Sequence, residues 1–501
     1  MAETVDEIIE KSKYASQLEA LLMMLKGENV FLCGPPGSGK SYVIKKFVQI
    51  KQMINPKIRI ETTSTTGISA INIGGKTIHS FTGMGVSKLN FEDKLADKSF
   101  DPRKLTNIKK ADIIIVDEIS MLSEWGLQYF YDVLDYLNKI EAVQIIVSGD
   151  FSQLPPVATR FDPPEMANIC YNSQPWKDFH LKPVFLDRVY RTSDEELKTI
   201  LDNIAIGEAN PEDLEEIKTI DNVDKTRRPI LVSTNREVDS INKKKQKLNK
   251  EKKKYKFKLE LPEVPEYTKK MEEASKRFVK AMSMPDEIVL KKNDTIMITA
   301  NDSSSNPFAE PIIEDDKNDG EFPVLKNGMI GIVWDISPNK LIFAYQDPKT
   351  MNVYKYEILD KVKFEQKIIV KDKVTKRKKE ITIAWFKQIP VKLAYAISIH
   401  KSQGQTYSHL VCDLSNCWAE NLGYVALSRA ESLKGISIVN NPYGPNISDN
   451  ALRCSQESID VKKDILKKSY FGTNTERLVC IEDELKKYNK KIRKELIDEE
   501  C

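Results

Sequence analysis

The densest run of chemistry-capable residues in the chain is Gly34, Pro35, Pro36, Gly37, Ser38, Gly39, Lys40 and Ser41. Glycines at this spacing let successive backbone N–H groups curl around phosphate oxygens. Lys40 then reaches the β and γ oxygens, and the Ser41 hydroxyl can ligate magnesium. Such a loop does this only when a strand delivers it and a helix leaves it. Asn29–Cys33 is a short apolar run on one side, and Val43, Ile44 and Phe47 recur at helical spacing on the other. Strand, loop and helix follow in the required order, which predicts a nucleoside-triphosphate site with ATP and Mg2+ as its ligands.

Two further apolar runs must position the rest of that chemistry. Ala111–Val116 has the continuous hydrophobicity of a strand buried on both faces of a parallel sheet, and it delivers Asp117 and Glu118 at its carboxyl end. There Asp117 would hold magnesium through its water shell, and Glu118 would orient and deprotonate the water that attacks the γ-phosphate. Val143–Val147 runs into Gly149, Asp150, Phe151, Ser152, Gln153, Leu154, Pro155, Pro156 and Val157. Gln153, an uncharged hydrogen-bonding group at a strand end, is suited to sensing a γ-phosphate; the plain alternative is an ordinary loop residue.

The run Asp117–Leu122, taken with Gly149–Val157, resembles the Pif group of superfamily 1B helicases, relatives of RecD. The similarity continues through Thr65, Thr66 and Gly67, through Gly74 to Phe81, and through Val189, Tyr190 and Arg191. It extends to Ile399–Thr406 and Tyr424–Ala430, and spans about Gln17 to about Ile438. Thr192 stands where the group usually has glutamine after its arginine. The resemblance implies an α/β fold of two RecA-like P-loop lobes with parallel sheets, plus an SH3-like β-barrel insertion in the second lobe. It also implies ATP-driven 5′ to 3′ movement on single-stranded DNA.

Residue by residue, the resemblance makes Gln17 the adenine reader and adds Gly404 to the ATP-binding set. Arg191 and Arg429 would place positive charge on the γ-phosphate; the bland reading of either is a surface ion pair worth under about 1 kcal/mol. Tyr190 either stacks on adenine or fills a core. Thr66, Gly67, His79 and Phe81 on the first lobe, and His400, Lys401 and Ser402 on the second, would hold the strand through hydroxyls, amides and rings. As lone residues, His79 and Phe81 would more often be core fillers.

With 501 residues the chain needs several cores. Expected boundaries are 1–190 for lobe 1A, with a small 1B insertion at about 84–110 that could carry a strand-separating element. Lobe 2A would take 191–241 and 391–450, with strands at Ile230–Asn235, Lys392–Ala396 and Leu410–Asp413. The inserted 2B domain, 242–390, would begin with the lysine-rich run Lys243–Lys258, read either as a solvated helix or disordered arm or as a DNA-tracking surface. Short strands at Thr295–Ile298, Gly331–Trp334, Leu341–Ala344 and Ile381–Ala384 would build the barrel. A helical tail, 451–501, repeats apolar residues from Leu478 to Leu496 at spacings that either pack on the body or dock a partner.

Charge is abundant at 30 % but nets only +3, so any nucleic-acid surface must be local. The seven cysteines are scattered, with no C-x-x-C pair and only four histidines, which argues against a disulfide framework or a structural metal. No signal peptide or membrane-length apolar run is present, so the expected protein is soluble, intracellular and free of membrane; as a separate expectation, it is monomeric when free. Its expected partners are single-stranded DNA and duplex–single-strand junctions. Two other functions stay open: a nucleic-acid-stimulated translocase or RNA helicase that does not separate DNA strands, and a scaffold whose nucleotide site only switches its shape.

Overall fold

The computed structural model describes residues 15–469 apart from 67–68, 71–72, 74, 85–88, 97–99, 101, 157–161, 215–216, 221–225, 227, 263–268, 282–283, 301, 303–306, 313–321, 326, 339, 348–350, 360, 372–377, 442–443 and 446. Gly67, Gly74, Val157 and the apolar repeat Leu478–Leu496 therefore lie outside the described residues. The chain forms two compact units, Met1–Thr219 with Ser402–Tyr407 and Leu414–Cys501, and Ile220–Lys401 with Ser408–Asp413.

The first unit is built on a sheet of β1 (Val30–Cys33), β2 (Ile60–Ser64), β3 (Lys76–Thr77), β4 (Ile113–Asp117), β5 (Gln144–Gly149) and β6 (Lys182–Phe185). Their order is β3-β2-β4-β5-β1-β6 and every pairing is parallel. Side chains alternate across a strand, so β1, β4 and β5 feed two cores at once. Phe31, Cys33, Ile114, Val116, Ile145 and Val147 join Phe130, Val133, Tyr171 and Trp176 on one face. Val30, Leu32, Ile113, Ile115 and Ile146 face the other way, onto the helices Ala15–Leu25 (α1) and Lys40–Ile54 (α2) through Leu18, Leu21, Ile44 and Phe47. Removing one such ring, Phe47→Ala for instance, would cost about 3–5 kcal/mol. Because β4, β5 and β1 are neighbours, their carboxyl ends bring Asp117, Asp150 and the glycine loop side by side.

In the second unit, Ile230–Val232 lies between Ala396–Ser398 and Leu410–Cys412, parallel to both. Thr234 and Glu237 then form a reciprocal cap that starts the helix Asn235–Leu248. A separate antiparallel sheet follows the order Ala309–Pro311, Val353–Ile358, Lys340–Gln346, Ile330–Ser337, Thr295–Ile298 and Val391–Leu393. Its core includes Leu290, Ile296, Val333, Phe343 and Val391.

Several expectations need correction here. Lys392–Ala396 is not one parallel strand: Val391–Leu393 pairs antiparallel with Thr295–Ile298, and only Ala396–Ser398 enters the parallel set. The apolar residues Leu393–Ala396 carry no mark of the change of partner. Ile381–Ala384 belongs to the long hairpin of Val362–Lys371 with Lys378–Gln388, outside the antiparallel sheet. The lysine-rich run is not an arm. It comprises the end of the helix Asn235–Leu248 and the strand Tyr255–Lys258, and Lys245 is buried with its Nζ near 2.5 Å from the Thr226 carbonyl.

Candidate active site

β1 ends in the glycine loop, whose backbone shape excludes side chains at two points. Gly37 and Gly39 have φ of 84° and 90°, in the left-handed region that favours glycine. A Cβ on Gly37 would lie 2.4 Å from the Arg191 Cβ, and one on Gly39 would lie 2.6 Å from the Gln17 Nε2. Tyr190 and Arg191 therefore lean directly on the loop, and the Tyr190 N–H donates to the Gly37 carbonyl at 2.8 Å. Gln17, on α1, is buried and donates from Nε2 to the Ser38 carbonyl at 3.3 Å. The Tyr190 ring is 48 % exposed beside Gly39, with the Arg188 guanidinium 5.6 Å from its centroid, which places it at the surface and not in a core. Gly34, Pro35, Pro36, Ser38 and Ser41 complete the loop; Ser41 is exposed on the first turn of α2 and the Ser38 hydroxyl is buried.

Lys40 donates from Nζ to the carbonyls of Gly34 at 2.7 Å and Pro35 at 3.1 Å. Burial pushes its pKa down, while Asp150, Glu118 and Asp117 pull it back up. Asp117 is held from two sides: Ser148 Oγ and the Glu118 N–H donate to Oδ1, and Ser69 Oγ donates to Oδ2 at 3.3 Å. Glu118 has φ of 55°, a strained backbone for a residue with a Cβ, of the kind that persists at functional sites. Its Oε2 accepts from Gln403 Nε2 at 3.0 Å. Burial first, and the charge of Asp117 second, raise the Glu118 carboxyl to about 7, against the pull of Lys40 and Arg429. A carboxylate poised there can take a proton from water at neutral pH.

Gln153 is 3 % exposed and follows β5. Its Nε2 reaches Asp150 Oδ2 and its Oε1 accepts from Arg429 Nη2, each at 3.5 Å. Arg429 is 1 % exposed, donating from Nε to the Val425 carbonyl at 2.9 Å and from Nη2 to Ser428 Oγ at 2.7 Å. Arg191 donates from Nε to Thr406 Oγ1 at 2.8 Å and from Nη1 to the Ser428 carbonyl at 2.9 Å. Burial, then the neighbouring Arg429 charge, push Arg191 down from its usual range; guanidinium is basic enough to stay charged regardless. Burial also lowers Arg429, and the Glu118 charge pulls both arginines back up. Gly404, with φ of 78° and open space around its Cβ position, gives the turn beyond Gln403 its shape.

The nucleotide-site residues named from sequence all fall within the first unit, including Arg429 and the stretch 402–407 that carries Gln403 and Gly404. The residues named for strand contact are more dispersed. Thr66 accepts from the Ser69 N–H at 3.2 Å, and His79 is exposed on the short helix Ile78–Phe81. Phe81 is 4 % exposed and packs in the core, so its ring is not presented for stacking, and Ser402 is likewise buried. His400 and Lys401 belong to the second unit. Burial lowers His400, which keeps it neutral at pH 7. Near Lys401, Lys392 is pushed down to about 8 by burial and then by the Lys401 charge.

Sequence reasoning missed Gln403, Asn421 and Tyr424 as parts of the site. Gln403 and Tyr424 sit inside the motif runs Ile399–Thr406 and Tyr424–Ala430, so their positions offered a signal; Asn421 offered none. Tyr424 donates to Asp150 Oδ2 at 3.0 Å, and Asn421 contacts the Gln153 loop directly.

A serine hydroxyl at the start of α2 and a carboxylate at the end of β4 form a hard oxygen donor set that fits Mg2+. Among the described residues, no cluster of His, Cys, Asp and Glu could hold a metal by itself. A cation here would take its other ligands from phosphate and water, as Mg2+ does.

A parallel sheet that brings a phosphate loop, an Asp–Glu pair and a glutamine together with one buried and one half-buried arginine defines a P-loop nucleoside-triphosphate hydrolase. Residues 10–205 match the family described as PIF1-like helicase, and residues 393–433 match the UvrD-like helicase C-terminal domain. The ATP-dependent DNA helicase Pif1 of Psychrobacter sp. is 27% identical over 504 residues, covering 91% of this chain and 74% of that protein. The ATP-dependent DNA helicase Pif1 of Bdellovibrio bacteriovorus is 27% identical over 433 residues, covering 84% and 87%. The crystal structure of Bacteroides sp. Pif1 in complex with ADP-AlF4 shares the fold at a TM-score of 0.67 and 22% identity, covering 92% of this chain and 99% of that one. Over most of its length the chain is thus similar to PIF1-like helicases, and its fold is that of a solved Pif1 structure.

Proposed function

We propose that this chain is an ATP-hydrolysing motor that moves 5′ to 3′ along single-stranded DNA and opens duplexes at junctions with it. The observation that carries this reading is the bond from Gln403 to Glu118. It ties the hydrolytic carboxylate to a stretch of chain that begins at His400 and Lys401, so a pull on the strand and a change at the nucleotide act on one short segment. In this reading Gln17 and Tyr190 take the adenine, and the loop amides with Lys40 take the phosphates. Ser41 and Asp117 would hold Mg2+, which neutralises charge between the β and γ oxygens when bound. Glu118 accepts the proton of the attacking water. Arg191 and Arg429 meet the charge that develops on the transferring phosphoryl, and Gln153 reports that phosphoryl to the loop after β5.

Thr66, His79, His400 and Lys401 are the side chains assigned here to the strand. The 242–390 insertion is assigned the role of an SH3-like element that closes over it. Among the described residues no helix is long and apolar enough to cross a membrane.

The test is unwinding of two fluorescent partial duplexes, one with a 5′ and one with a 3′ single-stranded tail, with ATP and magnesium, for this protein and Lys40→Ala. Opening of the 5′-tailed substrate alone, lost in the variant, is expected. DNA-stimulated hydrolysis without opening would replace the helicase reading with a translocase, and stimulation by RNA alone would move the substrate class.

A further inference from the structure

Asn421 is the most heavily bonded side chain near the site that the mechanism above leaves unused. It is fully buried, with φ of 69°, and stands at the N-cap of the helix Leu422–Leu427. An asparagine there ordinarily turns back to accept from its own helix. This one makes no such bond. Its Nδ2 instead points at three consecutive carbonyls, those of Ser152 and Gln153 at 3.0 Å and of Phe151 at 3.4 Å, and at Ser458 Oγ at 3.2 Å. Its Oδ1 accepts from the Ser455 N–H at 3.0 Å, and its backbone N–H donates to the Arg453 carbonyl at 2.7 Å.

The far side of this knot is firmly seated. Ser455 caps the helix Gln456–Lys468, whose Val461 and Ile465 enter the core of the first unit and whose Asp464 accepts from the Tyr171 hydroxyl at 2.8 Å. Cys454 Sγ adds a contact to the Ser152 carbonyl at 3.6 Å. One amide thus spans the gap between a packed helix and the backbone from which the Gln153 side chain departs. Carbonyls buried together repel one another unless a donor lies between them, so without the amide the loop has reason to shift.

We propose that Asn421 is a positioning residue for ATP hydrolysis: it holds the backbone of Phe151–Gln153 against the start of the C-terminal helix Gln456–Lys468, and so aims the Gln153 carboxamide at the γ-phosphate. The claim rests on the role given to Gln153 above. It makes a helix outside the helicase motifs a structural support of the catalytic loop.

The experiment is a double-mutant cycle read as kcat and KM of single-strand-stimulated ATP hydrolysis in the full chain. Asn421→Gly keeps the left-handed backbone accessible and removes only the amide. Expected is a fall in kcat of about tenfold to a hundredfold with KM for ATP within about twofold, the signature of lost aim rather than lost binding. In the Gln153→Ala background the same change should cost nothing further, because there is no side chain left to aim. Multiplicative losses would overturn the proposal while leaving Gln153 its role. Full activity of Gln153→Ala would overturn both. If Asn421→Gly lowers the melting temperature enough to confuse the reading, Ser458→Ala runs the same cycle with Asn421 intact. There a fall in kcat of about threefold, absent in the Gln153→Ala background, is expected. No fall, or an equal fall in both backgrounds, overturns the proposal.

Discussion

The nucleotide site has two walls built on different principles. One is backbone: the loop Gly34–Ser41 is proposed to surround phosphate with amides, and its shape depends on glycines at φ values of 84° and 90°. The other is side chain: Glu118, Gln153, Arg191, Gln403 and Arg429 are buried or half-buried polar groups that neutralise and orient one another. The first wall is local in sequence and tolerates little variation in residue size. The second spans a long stretch of chain and depends on charge balance, because a buried polar group left without its partner costs more than the bond contributed. Binding is therefore expected to fail when the first wall is altered, and chemistry when the second is.

Arg429→Ala should give the largest effect, a loss of about 10³ to 10⁵ in kcat with nucleotide binding largely kept, checked by single-turnover hydrolysis beside fluorescent-nucleotide titration. It should also move the hydrolysis pH profile, since Arg429 holds the Glu118 carboxyl down and its removal lets that group rise above about 7. A variant that binds nucleotide no better than it hydrolyses it would erase the distinction between the walls. Glu118→Gln should follow, at about 10² to 10⁴ in kcat. In its proposed role Glu118 acts deprotonated, so kcat/KM for ATP should be flat above about pH 7 and fall below it as the carboxyl takes up its proton. That fall should vanish in Glu118→Gln.

Gly37→Ala tests the first wall. Its Cβ meets Arg191 at 2.4 Å and its φ is strained for alanine, so nucleotide affinity should drop by about tenfold or more, measured as Kd. Tyr190→Ala should be the mildest change. Loss of a half-exposed stacking surface worth about 0.5–1.5 kcal/mol predicts a KM for ATP raised about two- to tenfold with kcat unaltered. A fall in kcat there instead would show that Tyr190 belongs with its neighbour Arg191 in the second wall.

How far each part could be read ahead of the structure follows the same division. The strand–loop–helix order and the place of the Asp117–Glu118 pair at a strand end were legible because a parallel strand buried on both faces must be continuously apolar and must deliver its next residues at its carboxyl end. His79 and Phe81 stood two residues apart in one motif and looked alike as strand contacts, yet the helix turns His79 to the surface and Phe81 into the core. The run Lys392–Ala396 hid a switch of sheet between Leu393 and Ala396, since hydrophobicity records burial and not the identity of the neighbour.

What the sequence determined by itself is the placement of groups within a few residues of a strand end: a glycine loop after β1, and the carboxylates at the end of β4. Tertiary structure alone decided that Gln403 lies against Glu118, that Arg429 is buried against Gln153, and that Asn421 gathers three carbonyls of the loop after β5. The reason is physical. A local motif is specified by backbone geometry and periodicity, which short segments encode. A buried polar network is specified by which donors and acceptors the packed cores leave facing one another, and no single segment carries that information.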